Sequence, residues 1–223
     1  MLDRSKYCIF NSEVLDGATL VGKYEFPKIP KVVVLDKPNR VIPFDRVHEA
    51  HDKGTWMHFH VHDKRYERLY SKKEKYIPIL QEFGGVFGLD HSIYRCLPLA
   101  ERLYSTYENR VSDYWFSKNG ILCIPNITWG NAETFEYCCD GVEKGSSISI
   151  STYGWARSKQ DKGIFVEGFY FVADKLRPAS IFNHGKVYPE VESRARKMGI
   201  PFIRIPSHIS EVFSVRGKEA CHG

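Results

Sequence analysis

The chain of 223 residues is 43% hydrophobic and 26% charged, with a formal net charge of +5. That balance is the one expected of an ordinary soluble globular protein with room for a substantial core, and it is no nucleic-acid signature. No apolar stretch approaches the ~20 residues needed to span a membrane, and the N-terminus lacks a signal-peptide core, so a soluble, cytoplasmic protein is expected.

In chain order, residues 1–50 read as a mixed N-terminal extension packing on the main domain, and residues 51–223 as an α/β domain. Lys31 to Leu35 is a predicted strand and Asn39 to Pro43 a weaker one, while Pro27, Pro30, Pro38 and Pro43 break up any helix. From Thr55 the rhythm is regular: a strand over 55–61, helix from about 64 to 82, a strand over 86–90 and a long helix over about 98–118. In that helix Ala100, Leu103, Tyr107, Val111 and Tyr114 step by three and four, as a core-facing stripe must, and Asn119-Gly120 stops it. Strand 121–126, a short helix near 132–139, strand 147–152, helix 162–176, strand 179–184, helix 188–198 and strand 201–205 follow. Strands alternating with helices predict βαβ units and a largely parallel sheet. The number of such strands fits an incomplete or distorted (β/α) barrel-like sheet, with a doubly wound sheet as the alternative.

Six cysteines, Cys8, Cys96, Cys123, Cys138, Cys139 and Cys221, form no C-x-x-C pair. Adjacent Cys138 and Cys139 diverge on any regular element and suit one zinc ion poorly. Free thiols in a reducing compartment are expected.

Five of the apolar runs end in chemically capable residues. Val86 to Leu89 leads to Asp90-His91-Ser92, Ile121 to Ile124 to Asn126 and Thr128-Trp129, and Ile148 to Ile150 to Ser151-Thr152-Tyr153-Gly154. Ala179 to Phe182 leads to Asn183-His184-Gly185-Lys186, and Phe202 to Ile205 to Pro206-Ser207-His208. In parallel α/β sheets, ligands bind at the carboxyl ends of the strands, because the loops converge there.

Each run admits a chemical reading and a structural one. Asp90 could orient an imidazole, act as a base or bind a ribose-type diol, and could equally cap the helix that follows. Asn126 beside Trp129 offers an amide for a base or sugar edge and an indole for stacking, although Trp129 could instead plug the barrel end. Ser151 to Gly154 could cradle phosphate, with Lys186 or Arg157 to neutralise it. Arg95 and Arg110 read as structural ion-pair partners.

A second reading starts from Trp56, His58, His60 and His62, which share one face of a strand because side chains alternate with period two. An H-x-H pair there could hold a divalent metal with Asp90, His184 or His208, as in a metal-dependent hydrolase or nuclease. No cofactor is favoured over the divalent metal of this alternative. A third reading takes the basic group Lys64, Arg65, Arg68, Lys72, Lys73 and Lys75 as a nucleic-acid contact. Glu67 and Glu74 interleave with it, as on a solvated helix face.

One ordered series of residues carries a family resemblance. It comprises His58-Phe59, Asp63, Glu67-Arg68, Asp90, Ser92, Tyr94-Arg95, Pro98-Leu99, Tyr107 and Asn109-Arg110. It continues through Asn119-Gly120-Ile121, Ile124-Pro125-Asn126, Trp129-Gly130, Asp140-Gly141, Lys144-Gly145-Ser146, Ser151 to Gly154, Leu176-Arg177-Pro178 and Gly185. In these pieces the chain resembles a family known only as a domain of unknown function (number four thousand four hundred and seventeen), found in bacteria, bacteriophages and mobile elements. The resemblance covers about two thirds of the chain, leaves out the first fifty residues and implies a shared site without naming a reaction. The chain departs from the family pattern at His91, where an aromatic is expected, at Thr128, where arginine is usual, and at His184, where tyrosine is usual. Those departures leave room for a different ligand or chemistry, and His60 and His62 are not part of the pattern.

The leading expectation is a phage or mobile-element protein that holds a small polar, nucleotide-like ligand through Asp90, His91, Asn126, Trp129, Thr152, Tyr153 and His184. Sequestering or altering a host nucleotide signal would be its role, and a homo-oligomer would be compatible with it.

Overall fold

The structure, a computed structural model, describes residues 12–49, 52–153, 155 and 158–206. A two-stranded antiparallel ribbon, β1 (Leu20–Val21) and β2 (Phe26–Pro27), opens it. Seven parallel strands follow. β3 (Arg40–Pro43), β4 (Thr55–His58), β5 (Gly85–Phe87) and β6 (Cys123–Ile124) form one sheet, and β7 (Ile148–Ser151), β8 (Ile181–His184) and β9 (Phe202–Ile205) a second. A parallel bridge between Asn126 and Ser149 joins the two, with the Ile127 N–H donating to the Ser149 carbonyl (2.8 Å) and the Ser149 N–H to the Pro125 carbonyl (2.9 Å).

Neighbours in space are therefore neighbours in sequence from β3 to β9. A doubly wound sheet reverses strand order at a switch point; this one does not. The architecture is an incomplete (β/α) barrel, with α1 (Glu67–Ser71) and α2 (Lys73–Leu80) after β4, α3 (Leu99–Lys118) after β5, α4 (Lys159–Leu176) after β7 and α5 (Pro189–Lys197) after β8.

Alternation along the strands sorts residues into two environments. Outward-facing Met57, Val86 and Cys123 pack beneath the helices with Phe59, Leu80 and Phe116, while Ile148, Ile150 and Ile181 pack on Phe165, Phe169 and Val172 of α4. Inward-facing Val41, Trp56, Phe87, Ile124, Phe182 and Ile205, one from each of six strands, meet as a third apolar cluster. That cluster fills the lower barrel, as branched and aromatic side chains do in closed barrels.

Three predicted elements come out differently. Lys31 to Leu35 is no strand. Its backbone is held mainly by side chains: Val32 N–H donates to Ser146 Oγ (3.1 Å) and Val34 N–H to Ser147 Oγ (2.9 Å), and Ser180 Oγ donates to the Val34 carbonyl (2.5 Å), beside a backbone bond from the Ser147 N–H to the Val32 carbonyl (2.7 Å). Val32 and Val34 pack into the interior cluster from this position. The helix expected over 64–82 is a 3-10 turn (Asp63–Arg65) followed by α1 and α2, broken at Lys72, whose φ of −135° is not helical. The short helix near 132–139 is a 3-10 turn, Ala132–Glu136.

Candidate functional site

Above the apolar floor the barrel interior changes character. The registers Pro43↔His58, Ser151↔His184 and Asn126↔Ser149 place polar side chains one step further along the same inward faces. His58, Asn126, Ser149 and His184 are all buried. The imidazoles of His58, His60 and His184 cluster, with ring centroids 5.3 Å (His58–His60), 5.5 Å (His58–His184) and 4.2 Å (His60–His184) apart, and Phe87 sits edge-on beneath His184 at 4.6 Å.

Asp90 ties this layer together. Its Oδ2 lies 2.9 Å from His60 Nδ1, and its Oδ1 accepts from Asn126 Nδ2 at 2.7 Å. A carboxylate only accepts, so the contact places a proton on His60 Nδ1, and of the two neutral tautomers it selects the one whose lone pair is on Nε2. His58 Nδ1 is occupied by the His60 backbone N–H (3.1 Å). Burial, reinforced by His60 and His58, pushes the His184 imidazole well below its ordinary pKa, so it is neutral. His60 Nε2, His184 Nε2, Asn126 Oδ1 and Ser149 Oγ are each buried without a hydrogen-bond partner.

Over this layer opens a cavity of about 940 Å³, lined by residues that include Asp90, Ser92, Arg95, Thr128, Ser151 and Tyr153. The Asp90 carboxylate, 22% exposed, reaches it from the layer below, as does His60. Tyr153, 43% exposed, has its ring 6.0 Å from that of His60. Arg95 pairs with Asp161 of α4 at the rim, so this arginine reaches the strand ends rather than serving only the core. A shallower groove lined by Tyr170, Pro189, Glu190, Ser193, Arg194 and Lys197 lies between α4 and α5, away from the strand ends.

Of the expected ligand set, Asp90, Asn126, Thr152, Tyr153 and His184 converge here, with Thr152 Oγ1 donating to the His184 carbonyl (3.1 Å). Two do not serve as expected. His91 turns the other way, its N–H donating to Asn109 Oδ1 (2.9 Å) and its ring meeting Tyr70 OH (3.2 Å) and Glu108 (3.6 Å) under α3. Trp129 edges the cavity but is only 1% exposed, packed at a tilt 5.0 Å from Phe165 and pressed on Gly168, where any Cβ would overlap the indole. It is the plug and offers no free face. Arg110 lies in mid-α3, not near its end, and donates to the carbonyls of Asn126 (3.1 Å), Cys138 (2.7 Å) and Asp140 (3.0 Å). Gly154, Arg157, Ser207 and His208 fall outside the described residues, as do Cys8 and Cys221.

The four residues of the metal alternative are adjacent but do not form a four-ligand shell. Each Asp90 oxygen faces a neighbour, Oδ2 on His60 and Oδ1 on Asn126, and His62 has left the strand to accept the Lys64 N–H (3.4 Å). Among the described residues no group of three or more His, Cys, Asp or Glu side chains is disposed to hold a metal ion. The basic group is engaged with the fold: Arg65 pairs with Asp45 and Lys73 with Glu13, while Arg68 lies over Phe44 (5.2 Å) and Lys75 over Tyr76 (5.7 Å). Sequence reading missed Ser149 and Asp161. The Ile-Ser-Ile-Ser alternation of β7 does signal that Ser149 faces inward with Ser151; nothing local marks Asp161.

The family described as Domain of unknown function (DUF4417) matches residues 18–201. The chain belongs to the DUF4417 family. The match starts well ahead of His58 and takes in residues 18–50, where β3 pairs in parallel with β4. The DUF4417 chain is similar to the Gene 1 protein of Mycobacterium phage L5, 29% identical over 146 residues, covering 66% of this chain and 63% of the relative. It is also similar to the Gene 1 protein of Mycobacterium phage D29, 29% identical over 134 residues, covering 60% of this chain and 50% of the relative. The chain thus spans less than two thirds of the length of either relative. No solved structure matches it. Among the described residues no helix is long and apolar enough to cross a membrane.

Proposed function

We propose that this DUF4417 chain binds a small polar, nucleotide-like ligand in the cavity at the carboxyl ends of its strands. The observation that carries the reading is the cavity itself: about 940 Å³, of a size that encloses a small molecule, with the Asp90 carboxylate at its base. Asp90 is pre-oriented by Asn126 and His60, so it would accept hydrogen bonds from a diol or amine without reorganising. Tyr153 supplies an exposed ring for stacking in place of Trp129, and Arg95 a guanidinium at the rim for an anionic group. The similarity to mycobacteriophage proteins supports a phage association, and in that setting the role we propose is sequestering or altering a nucleotide signal of the host cell.

Calorimetry and thermal-shift measurements against nucleotides and cyclic dinucleotides test this. A saturable response to at least one, weakened about tenfold or more in Asp90→Asn through loss of a charged acceptor worth roughly 1.5–3 kcal/mol, is expected. No response to any of the panel would sink the proposal.

A further inference from the structure

The four unpartnered atoms of the buried layer need an explanation, since polar atoms in a protein interior almost always find a partner. They do not sit at random. Asp90 holds a proton on His60 Nδ1, which in the neutral ring puts the lone pair on the unpartnered Nε2, and the His184 ring packs against that of His60 at 4.2 Å between centroids. Asn126 Oδ1 and Ser149 Oγ belong to the paired residues that join the two sheets. A buried imidazole lone pair costs free energy unless something electron-poor meets it. A carboxylate bonded to the far nitrogen of an imidazole is also the arrangement that orients histidines toward metal ions and raises their basicity.

We propose that the imidazole layer binds one divalent transition-metal ion of the zinc type through His60 Nε2 and His184 Nε2. Asn126 Oδ1 and Ser149 Oγ are the neighbouring oxygen donors, to the ion or to water bound on it. Asp90 and Asn126 act as positioning residues in this site, fixing the His60 ring. Two imidazoles with neutral oxygens suit a borderline ion and not magnesium or calcium, which take charged oxygen shells. His58 is no ligand through Nδ1, which its neighbour's backbone N–H already occupies. The inference is independent of any nucleotide, so the two readings fail separately.

The test uses the full chain, stripped with a chelator and titrated with Zn(II) by calorimetry and with Co(II) by absorption and proton NMR, with no nucleotide present. Expected are one equivalent of tightly bound metal and a hyperfine-shifted imidazole N–H from each of two histidines. His60→Gln and His184→Gln should each lower affinity by about tenfold or more, while His48→Gln, at an exposed position, leaves it unchanged. No metal uptake by the unaltered chain, which would mean ordered water alone, overturns the proposal. So does uptake that the His60 and His184 substitutions leave intact. Should a substituted chain fail to fold, the Co(II) spectrum of the unaltered chain still decides: no shifted imidazole protons means no such site.

Discussion

At the scale of single residues, the site depends on one glycine as much as on its histidines. A Cβ at Gly88, just past β5, would overlap Asp113 Oδ1 and come within 2.9 Å of the Asn126 backbone nitrogen. Gly88 thus sets how closely the strand bearing Asp90 approaches the strand bearing Asn126. Gly88→Ala should cost about 1–3 kcal/mol, as overpacking of a tight interior does. Chemical denaturation would check this; an unchanged midpoint would show that the strands can separate freely. Gly88 was visible in the sequence only as a pause in an apolar run, because what crowds it comes from α3 and β6. The same limit applied to His91 and Trp129. Their positions after strands were readable, but their orientation was decided by Tyr70, Glu108 and Phe165, residues distant in sequence.

Elements were the most legible level. The stripe from Ala100 to Tyr114 and the stop at Asn119-Gly120 locate α3 almost to the residue, since helix periodicity and a left-handed glycine are local properties; Gly120 has φ +71°. In the charged interior of α3 the ion-pairing of Arg110 was legible, but its burial and its partner were not. Arg110 and Asp113 are both fully buried and paired at 3.3 Å, with Cys123 Sγ 3.5 Å from Asp113. Burial pushes the Asp113 carboxyl up to about 7, against the pull of Arg110 and Cys123. A carboxyl whose folded pKa exceeds its unfolded one binds an extra proton in the folded state between the two values. Its contribution to stability therefore falls as pH rises from about 4 to about 7 and levels off above. Asp113→Asn should remove that component, seen as a flatter dependence of Tm on pH across this window than the unaltered chain shows. An identical slope in both would mean that Asp113 is ionised throughout.

For the whole molecule, the open side of the barrel sets the weak point. The 31–35 segment supplies Val32 and Val34 to the interior, yet it is tied to the residues just ahead of β7 and β8 by the backbone hydrogen bond from the Ser147 N–H to the Val32 carbonyl (2.7 Å) and by the hydroxyls of Ser146, Ser147 and Ser180. Ser147 Oγ meets the Val34 backbone at both N–H (2.9 Å) and carbonyl (3.1 Å), and Ser180 Oγ at 2.7 Å. Ser147→Ala should cost about 1–3 kcal/mol by leaving buried polar groups unmatched. Faster amide exchange at Val34 than at Phe87 should accompany it; equal protection at both would show that the segment is held by packing alone.

The apolar runs, their helical partners and the parallel rhythm were determined by the sequence by itself, because alternation and amphipathic stripes follow from backbone geometry. Only the tertiary structure decided that the strands keep their chain order around an interior with an apolar floor and a polar layer above it. It alone brought Asp90, His60, Asn126 and His184 into one group joined by hydrogen bonds and ring packing. The physical reason is that curvature of the sheet turns one face inward. That converts residues widely separated along the chain into neighbours whose burial, tautomer and charge depend on one another.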